Sequence, residues 1–245
     1  MSEAAAQRRR IFLMRHGSVT YFDASGKPYL PESVPLNEQG RAQASAAGAV
    51  FAQAALRFDR VICSGLPRTV ETATRVLAAT GQAIDIECWP EWEELRGGRL
   101  SSIPDAGLKE AFTGAFNGMV PEETQFLGGE SVGQLMDRVH PALSRLRQDA
   151  SWDTVLLVLH GGVNRAILSY ALTGQRLFLG GLAQTAGCIN ALDVGEQEHD
   201  WVLRFSNYAP PETLQAASRS TTMEKLLEQY QRSRALAGAQ STADK

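Results

Sequence analysis

Two kinds of apolar pattern alternate along the chain: short unbroken runs, and longer stretches in which apolar residues recur every three or four positions. Ile11-Phe12-Leu13-Met14 and Thr154-Val-Leu-Leu-Val-Leu159 belong to the first kind and predict strands buried on both faces. Arg60-Val-Ile-Cys-Ser64 and Ala83–Cys88 predict two more strands, and Cys188–Val194 with Trp201–Phe205 alternate as a terminal strand pair. Helices fall between them. Asn37 is placed to cap a helix from Glu38 to about Ala55, crowded with Ala and Gly so that it can lie close against a sheet. Pro67 suits the first position of a helix over Arg68–Ala79, which Gly81 ends. Val132, Leu135, Val139, Leu143 and Leu146 mark a helix within Glu130–Asp149, with a kink or break expected at Pro141. Another runs from about Val163 to Leu172 and closes at Gly174, and Met223, Leu226, Leu227 and Tyr230 give a short C-terminal helix packed on its own chain. Strands alternating with helices predict an α/β sandwich.

Residues 1–9 are expected to be a flexible lead-in, residues 10–205 a single domain with a cap or insertion at about 99–129, and residues 206–245 a C-terminal extension carrying the short helix. The connection Ser18–Leu36 contains Gly26, Pro28, Pro31 and Pro35, which forbid regular structure, so a wall or lid of a site is expected there.

The chain of 245 residues carries a net charge of −3 and no basic stripe interleaved with aromatics, which argues against a nucleic-acid partner. Its three cysteines, Cys63, Cys88 and Cys188, are odd in number and far apart in sequence, suggesting neither a disulfide framework nor a CxxC metal site. Cys63 and Cys188 are expected to be small buried thiols, in keeping with a reducing cytoplasm. The apolar run after Arg8-Arg9-Arg10 is too short for an export signal, and no segment is long enough to span a membrane, so a cytoplasmic location is expected.

The first strand ends in Arg15-His16-Gly17 and the later one in His160-Gly161-Gly162. Ligands of α/β sheets sit beyond the carboxyl ends of the strands, so these termini can bring two imidazoles to one crevice. No HExxH, DxH or HxH pattern accompanies either histidine, and a guanidinium at Arg15 repels a divalent cation but attracts a phosphate. Arg68 adds a second cation in the first turn of a helix, where the helix dipole favours an anion instead. Both facts point to phosphate. His140 and His199 lie in polar surroundings and are expected to be solvated, and Trp89 and Trp92 flank an acidic patch as pocket-mouth or core residues.

Leu-Met-Arg15-His16-Gly17, Cys-Ser64-Gly-Leu-Pro-Arg68-Thr-Val-Glu-Thr72-Ala and Val-Leu-His160-Gly161-Gly162-Val-Asn-Arg165-Ala, in that order, resemble the signature blocks of the histidine phosphatase superfamily, which includes the phosphoglycerate mutase-like enzymes. The resemblance covers about Arg10 to Phe205, and Glu94-Leu-Arg-Gly-Gly98 resembles the block that holds the family's proton donor. It implies a three-layer α/β/α sandwich with a mostly parallel central sheet, and a metal-independent, cofactor-free phosphomonoesterase acting on a small phosphorylated metabolite. In the implied mechanism His16 attacks phosphorus to form a phosphohistidine, its far nitrogen held by a backbone carbonyl. Arg15, Arg68, His160 and Gly161 hold the phosphoryl oxygens, and Glu94 serves as general acid and then base. Glu93 is the alternative donor. Many family members carry Thr and Asn where this chain has Val19 and Phe22, a departure that favours a leaving group with apolar surface, with Ser18 and Thr20 available as substitutes. A mutase is the second reading, but it needs cations outside the inner pocket, where only Arg99 and Lys109 follow Gly98, and Gly128-Gly-Glu130-Ser resembles the phosphatase branch. A non-catalytic phospho-ligand binding module is the third. Nothing in the chain fixes the oligomeric state.

Overall fold

The computed structural model describes residues 8–23, 28–210, 212 and 219–243, with side chains of the last helix described as far as Ala235. Strand β1 (Arg9–Arg15) is followed by helix α1 (Glu38–Gln53), β2 (Arg60–Cys63), α2 (Pro67–Thr80) and β3 (Ile86–Cys88). Then come α3 (Leu108–Thr113), β4 (Met119–Val120), α4 (Val132–Gln148), β5 (Thr154–Leu159) and α5 (Gly161–Thr173). Strands β6 (Phe178–Leu179), β7 (Ile189–Val194) and β8 (Trp201–Tyr208) precede the last helix, α6 (Thr222–Ala243). Six strands form one sheet in the order β3-β2-β5-β1-β7-β8. The pairs β3-β2, β2-β5 and β5-β1 are parallel, while β7 runs antiparallel to both its neighbours. The architecture is therefore the expected α/β sandwich with a mostly parallel centre.

Alternation within the strands builds the layers. Ile11 and Leu13 of β1 join Val155, Leu157 and Leu159 of β5 in a core beneath α4 and α5. Phe12 and Met14 join Leu156 and Val158 in a second core beneath α1 and α2. Residues Val155–Leu159 are all fully buried, as expected of a strand at the middle of a covered sheet.

The caps fall where the residue types demand. Asn37 accepts the N–H of Gly40 at 2.8 Å, Pro67 opens α2, and Gly81 (φ 63°) and Gly174 (φ 64°) close α2 and α5 in the left-handed conformation. Small residues let α1 and α2 touch: a Cβ on Gly48 would stand 2.7 Å from that of Ala79.

Some expectations need correction. Helix α4 runs through Pro141 without a break. The carbonyl that this proline leaves without its N–H is that of Asp137, an exposed residue, where water can replace it. The third strand is three residues long rather than six. The C-terminal helix spans 22 residues and is not short; Met223, Leu226 and Tyr230 pack on the body of the chain and Leu227 is buried there. The 99–129 segment is built of short helical turns, α3 and β4, and β4 pairs with β6 in a separate two-stranded sheet that the pattern did not announce. Positions 1–7 of the expected lead-in, and Gly26 of the long connection, lie outside the described residues. Among the described residues no helix is long and apolar enough to cross a membrane.

Candidate active site

Strand register brings the histidines together. Arg15 stands opposite Leu159 and Cys63 opposite Val158, so His16, His160 and Ser64 each follow the end of one of three adjacent parallel strands. Neighbouring strands lie about 4.8 Å apart. The rings of His16 and His160 accordingly sit with centroids 5.1 Å apart, edge to face. Both are buried, at 2% and 0% exposure.

The His16 ring is held in one orientation. Its Nδ1 lies 2.7 Å from the Gly17 carbonyl, which requires the proton on that nitrogen and leaves Nε2 with a free lone pair. Burial first, then the nearby guanidiniums of Arg68 and Arg15, hold the imidazole well below its usual pKa against the opposing pull of the Gly17 carbonyl. His160 is lowered likewise by burial, Arg68, His16 and Arg15. Both rings are neutral at physiological pH, the state in which an imidazole is a nucleophile.

Around them lie polar atoms with nothing to bind. Arg15 Nε, Arg68 Nε and His160 Nδ1 are buried without a hydrogen-bond partner. Buried polar groups are ordinarily satisfied, so three in one pocket mark a ligand's place. The remaining bonds of these side chains orient them: Arg68 Nη1 donates to the Pro31 carbonyl at 2.7 Å, and Arg15 Nη1 donates to the Gln184 carbonyl and to Thr222 Oγ1. Among the described residues neither guanidinium pairs with a carboxylate. Gly161 is the first residue of α5, and a Cβ there would come within 3.6 Å of Arg15 Nε.

Of the acidic candidates, Glu94 alone reaches the pocket's helix. Its Oε1 and Oε2 accept the Gly162 N–H at 3.1 and 3.0 Å, at the N-terminus of α5. Glu93 is bound to Arg96 and Glu91 to Arg145. Of the two, Glu93 and Glu94, Glu94 is the one whose carboxylate meets the N-terminus of α5.

Several supporting residues carried no assigned role in the sequence. Ser64 Oγ lies 2.8 Å from His160 Nε2, and Thr72 Oγ1 accepts the Gly17 N–H at 3.2 Å. Arg138 donates to the carbonyls of Glu91, Glu93 and Glu94 while gripping Glu130 with two bonds of 2.8 Å. Burial alone would raise the Glu130 carboxyl, but the Arg138 fork and the Arg96 N–H hold it below its ordinary value. Gln184, Asn164 and Asn190 form a buried amide network behind Arg15. Asn190 could have been noticed as an amide set between the apolar Ile189, Ala191 and Leu192; Arg138 offers no such signal, because a helical arginine is usually a solvated one.

The departures at Val19 and Phe22 have a structural expression. Val19 pairs with Leu36 across the long connection, and the Phe22 ring lies 6.3 Å from that of Tyr230 on α6. Ser18 and Thr20 accept from the Asn37 amide. Trp92 is fully buried and stacks on Trp89 at 4.8 Å, so Trp92 is a core residue.

His140 corrects another expectation. It is half-buried rather than solvated, lies against Tyr170 with centroids 5.2 Å apart and the rings tilted by 44°, and leaves Nε2 buried without a partner. Burial lowers its pKa. The groove it lines, about 780 Å³ between α4, α5 and the β7–β8 turn, has no residue in common with the His16 pocket. His199 is exposed, as expected.

Fold and pocket together define an α/β protein with two facing neutral imidazoles and, among the described residues, two guanidiniums that meet no carboxylate, at the carboxyl edge of its sheet. A family model for the histidine phosphatase superfamily (branch 1) matches residues 11–207, and the chain belongs to that superfamily. It is 29% identical over 194 residues to the adenosylcobalamin/alpha-ribazole phosphatase of Salmonella typhimurium, covering 76% of this chain and 91% of that one. It is 28% identical over 185 residues to phosphoglycerate mutase-like protein 4 of Arabidopsis thaliana, covering 68% and 72% respectively. The crystal structure of the alpha-ribazole phosphatase from Shigella flexneri superposes with a TM-score of 0.63 at 23% identity, over 81% of this chain and 96% of that one, and shares its fold.

Proposed function

We propose that the protein is a metal-independent phosphomonoesterase that hydrolyses a small phosphorylated metabolite through a phosphohistidine on His16. The observation that carries this reading is the set of three unshared nitrogens, on Arg15, Arg68 and His160, disposed about a neutral, oriented imidazole. Nε2 of His16 attacks phosphorus as the ester oxygen departs, and the guanidiniums and His160 take up charge on the phosphoryl oxygens. Glu94 gives its proton to the leaving oxygen, then accepts one from the water that cleaves the P–N bond. The products are the alcohol and inorganic phosphate, with His16 and Glu94 restored.

Val19 and Phe22, apolar where many family members carry Thr and Asn, support a leaving group with apolar surface. The mutase reading has the Arabidopsis relative in its favour, but Arg99 and Lys109, the cations available to hold a second phosphate, are both exposed.

His16→Ala should lower kcat/KM for an aryl phosphate by on the order of 10³-fold or more. Unchanged turnover would remove His16 as nucleophile, and inhibition by a chelator would bring a metal back into the mechanism. Glu94→Gln should cost roughly 10²-fold or more on alkyl phosphates and far less on aryl phosphates, whose leaving groups need no proton. Incubation with 3-phosphoglycerate and a trace of 2,3-bisphosphoglycerate separates the two activities: free phosphate marks a phosphatase and the 2-phospho isomer a mutase. Tight phosphate binding without turnover of any ester would mark a binding module.

A further inference from the structure

Cys63 and Cys88, 25 residues apart in sequence, are opposite each other where β2 pairs with β3. Their sulfurs are 3.7 Å apart and not bonded to each other. Adjacent strands about 4.8 Å apart lie within the Cα separation that a disulfide spans, so a change of side-chain rotamer brings the sulfurs to the bonding distance of about 2.05 Å. The pair is asymmetric in access. Cys88 is exposed, whereas Cys63 is fully buried and faces the core beneath α1 and α2. Gly65 leaves this side of Cys88 uncovered: a Cβ built there would lie against Cys88, 3.5 Å from its Cβ and 3.8 Å from its sulfur.

Their position matters as much as their separation. Cys63 directly precedes Ser64, whose hydroxyl holds His160, and lies four residues before the start of the turn that carries Arg68. Trp89, next to Cys88, bonds through its N–H to the Cys63 carbonyl at 2.8 Å, so the two strand ends already move as a unit.

We propose that Cys63 and Cys88 are a disulfide-forming redox site that lowers the activity of the His16 pocket when it closes. The oxidant is a hydroperoxide. The Cys88 thiolate attacks the peroxide, the O–O bond breaks, and a sulfenic acid forms with release of the first water or alcohol. The Cys63 sulfur then attacks Cys88, the S–O bond breaks, and the hydroxide leaves with the Cys63 proton as water. Two thiols are oxidised and one hydroperoxide is reduced. A disulfide with one exposed sulfur belongs to the labile, readily reduced kind, so thiol reductants reopen it. Closure turns the Cys63 side chain out of the core beneath α1 and α2 toward Cys88, and the strain passes to Ser64, the next residue, loosening its hold on His160.

The test is treatment of the full chain with hydrogen peroxide, followed by peptide mapping and by aryl phosphate turnover before oxidation, after it, and after dithiothreitol. The expected product has lost two hydrogen atoms' mass, contains a Cys63–Cys88 peptide and a free Cys188, turns over at least several-fold more slowly, and recovers with dithiothreitol. Cys88→Ser should keep full activity through the same treatment. The His160 imidazole proton resonances give a readout that does not depend on turnover, and they should shift on oxidation in the native chain but not in Cys88→Ser. Absence of the cross-linked peptide overturns the site. A cross-link that changes neither rate nor resonances overturns its coupling to the pocket, as does an equal loss of rate in Cys88→Ser.

Discussion

The hydroxyl of Ser64 has one proton to give and two neighbours to take it. Thr69 Oγ1, 3.0 Å away, spends its own proton on the Leu66 carbonyl and can accept; His160 Nε2, 2.8 Å away, can accept as well. If Ser64 donates to Nε2, the imidazole proton sits on Nδ1, the nitrogen with no partner in the pocket, and is free for a phosphoryl oxygen. Ser64→Ala removes that bias. A hydrogen bond of this kind is worth about 1–2 kcal/mol, so kcat/KM should fall roughly tenfold while His16 continues to react. Steady-state kinetics on an aryl phosphate checks it. Gly162 offers a sharper case, because its Cβ would stand 2.4 Å from Glu94 Oε1. Gly162→Ala should displace the carboxylate and reproduce the Glu94→Gln pattern: loss concentrated on alkyl phosphates, measured by comparing the two ester classes. An equal loss on both would place the proton donor elsewhere.

At the scale of elements, α1 and the turn after β1 are fitted backbone to backbone. A Cβ on Gly40 would lie 2.1 Å from the Ser18 carbonyl oxygen, and one on Gly17 would lie 2.3 Å from that of Gly40. Alanine inside a helix ordinarily gains up to about 1 kcal/mol over glycine. That gain cannot offset an overlap with a backbone that also carries His16. Gly40→Ala should therefore lower Tm and turnover together, as thermal unfolding and kinetics will show. The elements themselves were largely legible: unbroken runs at 11–14 and 154–159 announced the central strands, and Asn37, Pro67, Gly81 and Gly174 marked helix ends by residue type alone. What escaped had physical reasons. Strands β4 and β6 are two residues each, too short to show a period. Pro141 is tolerated because the carbonyl it leaves without a partner belongs to an exposed residue, Asp137, and the local pattern does not report that. The cysteines looked unrelated because sequence spacing is silent about strand register. His16, His160, Arg15 and Arg68 could be singled out in advance because each occupies a strand-to-helix junction; Ser64 and Arg138 act through other residues and carry no such mark.

Across the whole molecule, two buried neutral histidines tie stability to pH. Both have folded-state pKa values below those of the unfolded chain, so the unfolded chain takes up protons that the native pocket refuses. Their stabilising effect is complete above about pH 6.5, the unfolded imidazole value, and is lost as pH falls below it. Tm should decline from that pH downward, and His16→Asn should flatten the decline. A profile identical to that of the native chain would mean that His16 is protonated in the fold.

The unshared nitrogens of Arg15, Arg68 and His160 have one more consequence. In the proposed reaction the same cradle meets the phosphoryl group on its arrival and on its departure. If the protein hydrolyses its ester as proposed, inorganic phosphate is the second product and should compete with the ester for the same nitrogens. The rate would then slacken as phosphate accumulates, coupling throughput to the surrounding phosphate level with no separate regulatory site.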